Sequence, residues 1–197
     1  EYTEGIGWHD ARIQPYGPLA IDPASPVLHY SQEIFEGLKV YRRADGGIQM
    51  FRPIENARRM NRSAERMVMP QLDEEFQVKA MKMLAEVEQD WVPTREGTSL
   101  YLRPTMIAHG AELGVHPAHK YLYYIICSPA GSYYKNGMSP IKIHIEDSYV
   151  RAVKGGTGAA KTGGNYSASL KAAHEASKRG FDQVLWLDGK QNKYVEE

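Results

Sequence analysis

Two stretches with helical spacing, set between strand-like segments, constrain this fold more than any other feature. Residues 53–68 place Ile54, Ala57, Met60, Ala64, Met67 and Val68 three or four positions apart, between Pro53 and Pro70. That spacing gives a helix one apolar stripe, and Pro53 suits its first turn, where no N–H is needed. The opposite face carries Arg58, Arg59, Arg62 and Arg66. A second helix is expected over 73–91, with Phe76, Ala80, Met83, Leu84, Val87 and Trp91 on its stripe and Pro93 ending it. One-sided helices need a surface to lie on. Strands are expected at 27–30, 38–42, 48–51, 99–108 and 120–127, with Asp45-Gly46-Gly47 as a hairpin turn. The Tyr/Leu/Ile run at 120–127 calls for cover on both faces. The outcome is a mixed α/β (α+β) fold.

From Ser128 to Pro140 the composition turns to Ser, Pro, Gly and Asn, as in a linker between domains. The expected division is a small α/β domain at 1–129, a linker at 130–140 and the start of a second domain at 141–197. That last part reads as a strand at 141–146, a glycine-dense stretch at 155–164, a helix at 165–178 stopped by Gly180, a strand at 183–187, a turn at Asp188-Gly189 and a strand at 193–196. One helix and three strands bury too little to stand alone. The sequence therefore reads as cut, with a continuation expected beyond Glu197.

Composition narrows the function. Hydrophobic residues make up 42% and charged residues 24%, a globular balance, not a disordered one. Twenty-four basic residues offset twenty-four acidic ones, so no net field draws nucleic acid or an anionic membrane. No run approaches the roughly 18 apolar residues of a membrane span, and residues 1–10 lack the basic start and apolar core of a secretory signal. The lone Cys127 excludes an internal disulfide and a cysteine-based metal cage, and no metal is called for. A cytoplasmic protein is expected.

The densest candidate for chemistry is Gly155-Gly156-Thr157-Gly158-Ala159-Ala160-Lys161-Thr162-Gly163-Gly164-Asn165-Tyr166. Its glycines permit close backbone approach to a ligand, and the helix entrance offers free N–H groups. A phosphate-binding P-loop would need Gly-Lys-Ser/Thr at the helix entrance, but Lys161 follows Ala160, and that reading fails. A lysine among glycines and alanines can be a nucleophilic amine able to form a Schiff base; a solvated surface loop is the competing reading. In Tyr101-Leu-Arg-Pro104 strand alternation aims Tyr101 and Arg103 to one face, as a pocket lining would require; a hairpin with an exposed arginine is the competing reading.

Taken together, His29-Tyr-Ser-Gln-Glu-Ile-Phe-Glu-Gly37, Phe51-Arg-Pro53 with Arg59 and Arg62-Ser-Ala64, Leu100-Tyr-Leu-Arg-Pro104, Lys161-Thr-Gly-Gly-Asn-Tyr166 and Gln183-Val-Leu-Trp-Leu187 resemble the branched-chain amino acid aminotransferases. These are two-domain pyridoxal-phosphate enzymes of fold type IV. The resemblance spans essentially the whole chain and implies a longer protein.

The resemblance implies roles position by position. Lys161 matches the lysine that binds pyridoxal 5'-phosphate and moves the proton during catalysis. Arg59 matches the arginine on the cofactor phosphate, Tyr166 the tyrosine beside the cofactor's phenolic oxygen, and Glu197, or equally Glu196, the carboxylate on the pyridine nitrogen. Phe35, Tyr101 and Tyr133 match substrate-pocket positions and Arg103 the carboxylate-recognition region. Tyr30 and Val115 match positions lent by the neighbouring subunit of a homodimer. Ala130 stands where some relatives have tryptophan, and the cysteine pair of some relatives is absent, Cys127 being expected as a buried strand residue. The implied activity transfers the amino group of leucine, isoleucine or valine to 2-oxoglutarate, giving branched-chain 2-oxo acids and glutamate. D-amino acid transamination and aminodeoxychorismate cleavage are the alternatives within fold type IV. A chain ending at 197 is expected to be inactive by itself, and an inert fragment is the reading from outside enzymology.

Overall fold

The computed structural model describes residues 1–131 and 139–197. Strands β1 (Tyr2–Thr3), β2 (Gly7–Trp8), β3 (Glu33–Phe35), β4 (Leu38–Arg42), β5 (Ile48–Met50), β6 (Ser99–His109) and β7 (Lys120–Ala130) form one sheet. Its order is β2-β1-β7-β6-β4-β5, with β3 also pairing β6, and all its pairings are antiparallel. The long hairpin of β6 and β7 keeps register from Ser99↔Ala130 to His109↔Lys120. Along 34–40 alternate residues turn inward: Ile34, Glu36, Leu38 and Val40 are buried, the period of two expected for a sheet with one face packed.

Helices α1 (Pro26–Tyr30), α2 (Pro53–Arg66) and α3 (Glu74–Val87) precede β6 in the chain. Met60 and Ala64 of α2 join Ile34, Met106, Ala108 and Tyr121 in one apolar cluster. Met81 and Ala85 of α3 join Leu38, Val40, Leu100 and Leu102 in a second. The covered face of the sheet is thus divided between two helices. Further along the chain come β8 (Ile143–Glu146), α4 (Gly163–Lys178) and β9 (Gln183–Trp186), and β8 pairs parallel with β9 from Ile143↔Gln183 to Glu146↔Trp186. A parallel pair needs a crossover between its strands, and α4 supplies it.

Several expected elements differ. Residues 27–30, expected as a strand, lie in α1, where Pro26 takes the first helical position and Ser31 ends it in the left-handed region at φ 51°. The stripe expected on α3 is largely exposed at Phe76, Met83 and Val87, and Trp91 lies in a following 3-10 turn, Gln89–Trp91. The buried face is instead Gln77, Met81 and Ala85. Gln77 can occupy a core position because its Nε2 donates to Leu72 O at 2.9 Å and Asn61 Oδ1 at 3.2 Å, and that rotates the stripe by one residue. β7 extends to Ala130, past the expected end at 127, and only Tyr121 in it is fully buried. Cover on both faces is not found: residues of β7 and α3, with 10–21, line an open groove of about 1060 Å³. Cys127 is half-buried, and burial pushes its thiol up from its ordinary value.

The helix expected from Asn165 begins two residues earlier, at Gly163. A Cβ on Gly163 would lie 2.0 Å from Glu33 Oε1, so a larger residue there would push the Glu33 carboxylate aside. The strand expected at 193–196 is reduced to a single bridge, Leu187↔Val195. Its place is taken by a turn built around Asp188, whose carboxylate accepts N–H groups from Gln191, Lys193 and Tyr194 at 2.7–2.9 Å. Those donors hold the carboxyl well below the usual range.

Candidate active site

The site begins with a buried charge. Strand alternation carries Glu36 into the core, 1% exposed, where an ionised carboxylate needs donors. Arg59, on one face of α2, supplies two: Nε at 2.6 Å from Oε1 and Nη2 at 2.9 Å from Oε2. Asn56 Nδ2 adds a third at 2.8 Å. This bidentate pair raises the guanidinium above its ordinary value. Arg59 remains about half exposed, and among the described residues its Nη1 has no hydrogen-bond partner. The neighbouring arginines differ: Arg58 pairs with half-buried Glu55 and Glu74, and Arg66 Nη2 donates to the carbonyls of Gly155 and Gly156 at 3.2 Å.

Beside Glu36 stand Phe35 and Gly37. Tyr101 can lie against the chain there only because residue 37 is glycine, since a Cβ would sit 1.9 Å from Tyr101 Oη. Arg103 Nη2 donates to that oxygen at 2.9 Å, so Tyr101 and Arg103 share a face. The guanidinium lies 4.7 Å from the Phe35 ring centre and 5.2 Å from that of Tyr101, within cation–π range. Its Nε is buried without a hydrogen-bond partner among the described residues.

Lys161 approaches from the other side. Its Nζ donates to Tyr166 Oη at 2.6 Å and sits 4.6 Å from the Phe35 ring centre; Tyr166 and Phe35 are themselves 4.9 Å apart. The backbone around it is pinned. Lys161 N–H donates to Ser63 Oγ at 2.9 Å, Lys161 O accepts from Phe35 N–H at 3.0 Å, and Thr162 Oγ1 donates to Glu33 O at 2.7 Å. Asn165 Nδ2 donates to the carbonyls of Thr157 and Ala160, both at 2.8 Å, bracing the glycine-dense stretch. Glu33 is half-buried, and burial pushes its carboxyl up while the Gly163 N–H and Arg103 pull it down.

Of the residues singled out in the sequence, Lys161, Tyr166, Phe35, Tyr101 and Arg103 are joined by direct contacts, and Arg59 reaches them through Glu36 and Gly37. Glu197 and Glu196 are not in contact with that group among the described residues. Both face Arg151, Glu197 through Nη2 and Glu196 Oε1 at 3.5 Å from Nη1. Tyr30 ends α1 with its ring 6.0 Å from that of His29, Val115 is 89% exposed in the β6–β7 connection, and Tyr133 lies outside the described residues. Sequence reading gave no site role to Glu36, Ser63 or Arg151. Glu36 had a signal, since alternation with Ile34 and Leu38 put a carboxylate in the core; Ser63 had none.

The class IV amino-transferase family matches residues 33–196. The chain belongs to the class IV aminotransferases. Among curated members of this class, it is 56% identical to "Branched-chain-amino-acid transaminase 1" of Bacillus subtilis, with all of this chain aligned to 56% of that one. It is 52% identical to the branched-chain-amino-acid aminotransferase of Mycolicibacterium smegmatis, covering 54% of it. The chain thus spans about half the length of the curated relatives it matches. Among solved structures, a T.th. branched-chain amino acid aminotransferase with pyridoxamine 5'-phosphate superposes at TM-score 0.73 and 28% identity, over 90% of this chain and 57% of that one. The Escherichia coli branched-chain amino acid aminotransferase gives 0.70 and 26%, over 90% and 55%. None of the described helices of this aminotransferase chain is long and apolar enough to cross a membrane.

Proposed function

We propose that the protein is a pyridoxal-phosphate transaminase that moves the amino group of leucine, isoleucine or valine to 2-oxoglutarate. The observation that carries this reading is Lys161 Nζ held between the Tyr166 hydroxyl and the Phe35 ring. The donor set fits the cofactor: a primary amine to bind its aldehyde carbon, and Arg59, whose Nη1 is unpaired among the described residues, for its phosphate. When bound, pyridoxal phosphate supplies an electron sink for negative charge at the substrate Cα.

The chain's own residues account for the remaining tasks. Lys161 takes the proton from the substrate Cα, and Tyr166 Oη fixes where Nζ sits. Glu36 orients Arg59, so that one buried carboxylate sets the direction of the phosphate-binding group. Arg103 meets the substrate carboxylate, which would satisfy its buried Nε. Phe35 and Tyr101 offer an apolar wall to a branched side chain. Glu197, or Glu196, is assigned to the pyridine nitrogen, with Arg151 holding it in place. A cytoplasmic homodimer is part of the proposal, and the exposure of Val115 and Tyr30 supports their reaching a partner subunit.

The test is a coupled assay of the purified full-length protein with 2-oxoglutarate. Glutamate formation from L-leucine, and none from D-alanine, is expected. Turnover with D-alanine alone would replace this reading by D-amino acid transamination.

A further inference from the structure

The connection 110–119 closes the β6–β7 hairpin, whose last rung pairs His109 with Lys120. It folds so that one ligand atom each from Glu112, His116 and His119 lies within 4.8 Å of the other two. In a tetrahedral site with metal–nitrogen bonds of about 2.0–2.1 Å, neighbouring ligand atoms are about 3.3 Å apart. Closing the difference asks for rotations of partly exposed side chains, not a new backbone.

Three further observations point to a cation. Glu112 Oε2 is buried and has no hydrogen-bond partner among the described residues, with His116 Nδ1 still 4.0 Å away. Such an oxygen is costly to leave unpaired. His119 Nδ1 lies 2.6 Å from Glu4 Oε2; a carboxylate only accepts, so Nδ1 donates, and in the neutral ring the lone pair is on Nε2. The carboxylate–histidine pair is the arrangement that orients and strengthens a metal-binding imidazole. His116 Nδ1 in turn lies 3.0 Å from Pro117 O, which also only accepts, leaving Nε2 as its lone-pair nitrogen. Gly114 makes room for that ring, since a Cβ would lie 3.0 Å from His116 Nε2.

We infer that the β6–β7 connection is a divalent transition-metal site, with Glu112, His116 and His119 as ligands and Glu4 orienting His119. Two imidazoles and one carboxylate with an open fourth position suit Zn²⁺. The ion would tie three points of one loop together around Val115, and none of its ligands is among the residues in contact with Lys161.

The experiment is calorimetric titration of Zn²⁺ into the untagged full-length protein and into His116→Gln, His119→Gln, Glu112→Gln and Glu4→Gln. All four positions are loop or terminal side chains whose glutamine forms keep the volume. One ion per chain is expected, with at least tenfold weaker binding in each ligand variant and roughly tenfold weaker binding in Glu4→Gln. No saturable uptake at one ion per chain, or uptake unchanged when His116 and His119 are both replaced, would overturn the site.

Discussion

Phe35, Glu36, Tyr101 and Arg103 sit on or beside strands whose inward neighbours Ile34, Leu38, Leu100 and Leu102 are buried, whereas Lys161 sits just ahead of a helix entrance braced by hydrogen bonds. The first wall of the site inherits its geometry from two apolar clusters. The second is fixed mainly by being tied to the first, through Ser63, Phe35, Glu33 and Arg66. A wall built on packed strands is rigid because interiors are dense. A wall held by individual hydrogen bonds can be loosened one bond at a time.

Five substitutions probe that contrast. The largest effect belongs to Lys161→Ala, which should abolish transamination in the full-length protein, because among the described residues neither wall offers another amine in contact with Tyr166 and Phe35. Next comes Arg59→Ala. A charge-assisted phosphate contact is worth about 1.5–3 kcal/mol, so cofactor affinity measured by absorbance titration should fall roughly 10- to 150-fold. Arg62→Ala, on the same helix, should leave it within about twofold, on the scale of surface substitutions.

Ser63→Ala removes one tie between the walls while leaving the clusters intact. The loss should be about 1 kcal/mol by urea denaturation, with faster amide exchange at Lys161 and unchanged exchange at Leu100 and Leu102. Equal loosening of both walls would erase the distinction. The smallest effect is expected at Glu33, and it depends on pH. Burial raises its folded-state carboxyl above the ordinary value of 4.5, so the folded chain holds the proton more tightly than the unfolded one. Its contribution is complete below that ordinary value and is lost as pH rises through the folded one. Glu33→Gln should therefore stabilise the chain slightly at neutral pH, and urea midpoints of the two proteins should converge on acidification.

The first wall is the more legible in sequence, for the same reason that it is the more rigid. The period-two run from Ile34 to Val40 and the three-and-four spacing of Ala57, Met60 and Ala64 record burial directly, and Tyr101 and Arg103 follow from alternation. The departures lie where polar groups or special backbone positions override the pattern. Gln77 takes a core place through two hydrogen bonds and turns the α3 stripe. Pro26 and Ser31 convert a strand-like segment into a short helix, and Asp188 gathers backbone donors where a strand was expected. Residues 163 and 164 look like loop glycines until Glu33 is seen against Gly163. The side chains that unite the walls are distant in sequence, with Ser63 and Lys161 ninety-eight positions apart, and no local pattern announces such a pair.

Everything assigned to the second wall depends on Lys161 being the residue that holds the cofactor, and borohydride reduction of the full-length protein with pyridoxal phosphate, followed by peptide mapping, tests it most directly. A pyridoxyl group is expected on Lys161, lost in Lys161→Ala. A label on Lys154 or Lys171 in the unmodified protein would contradict the assignment.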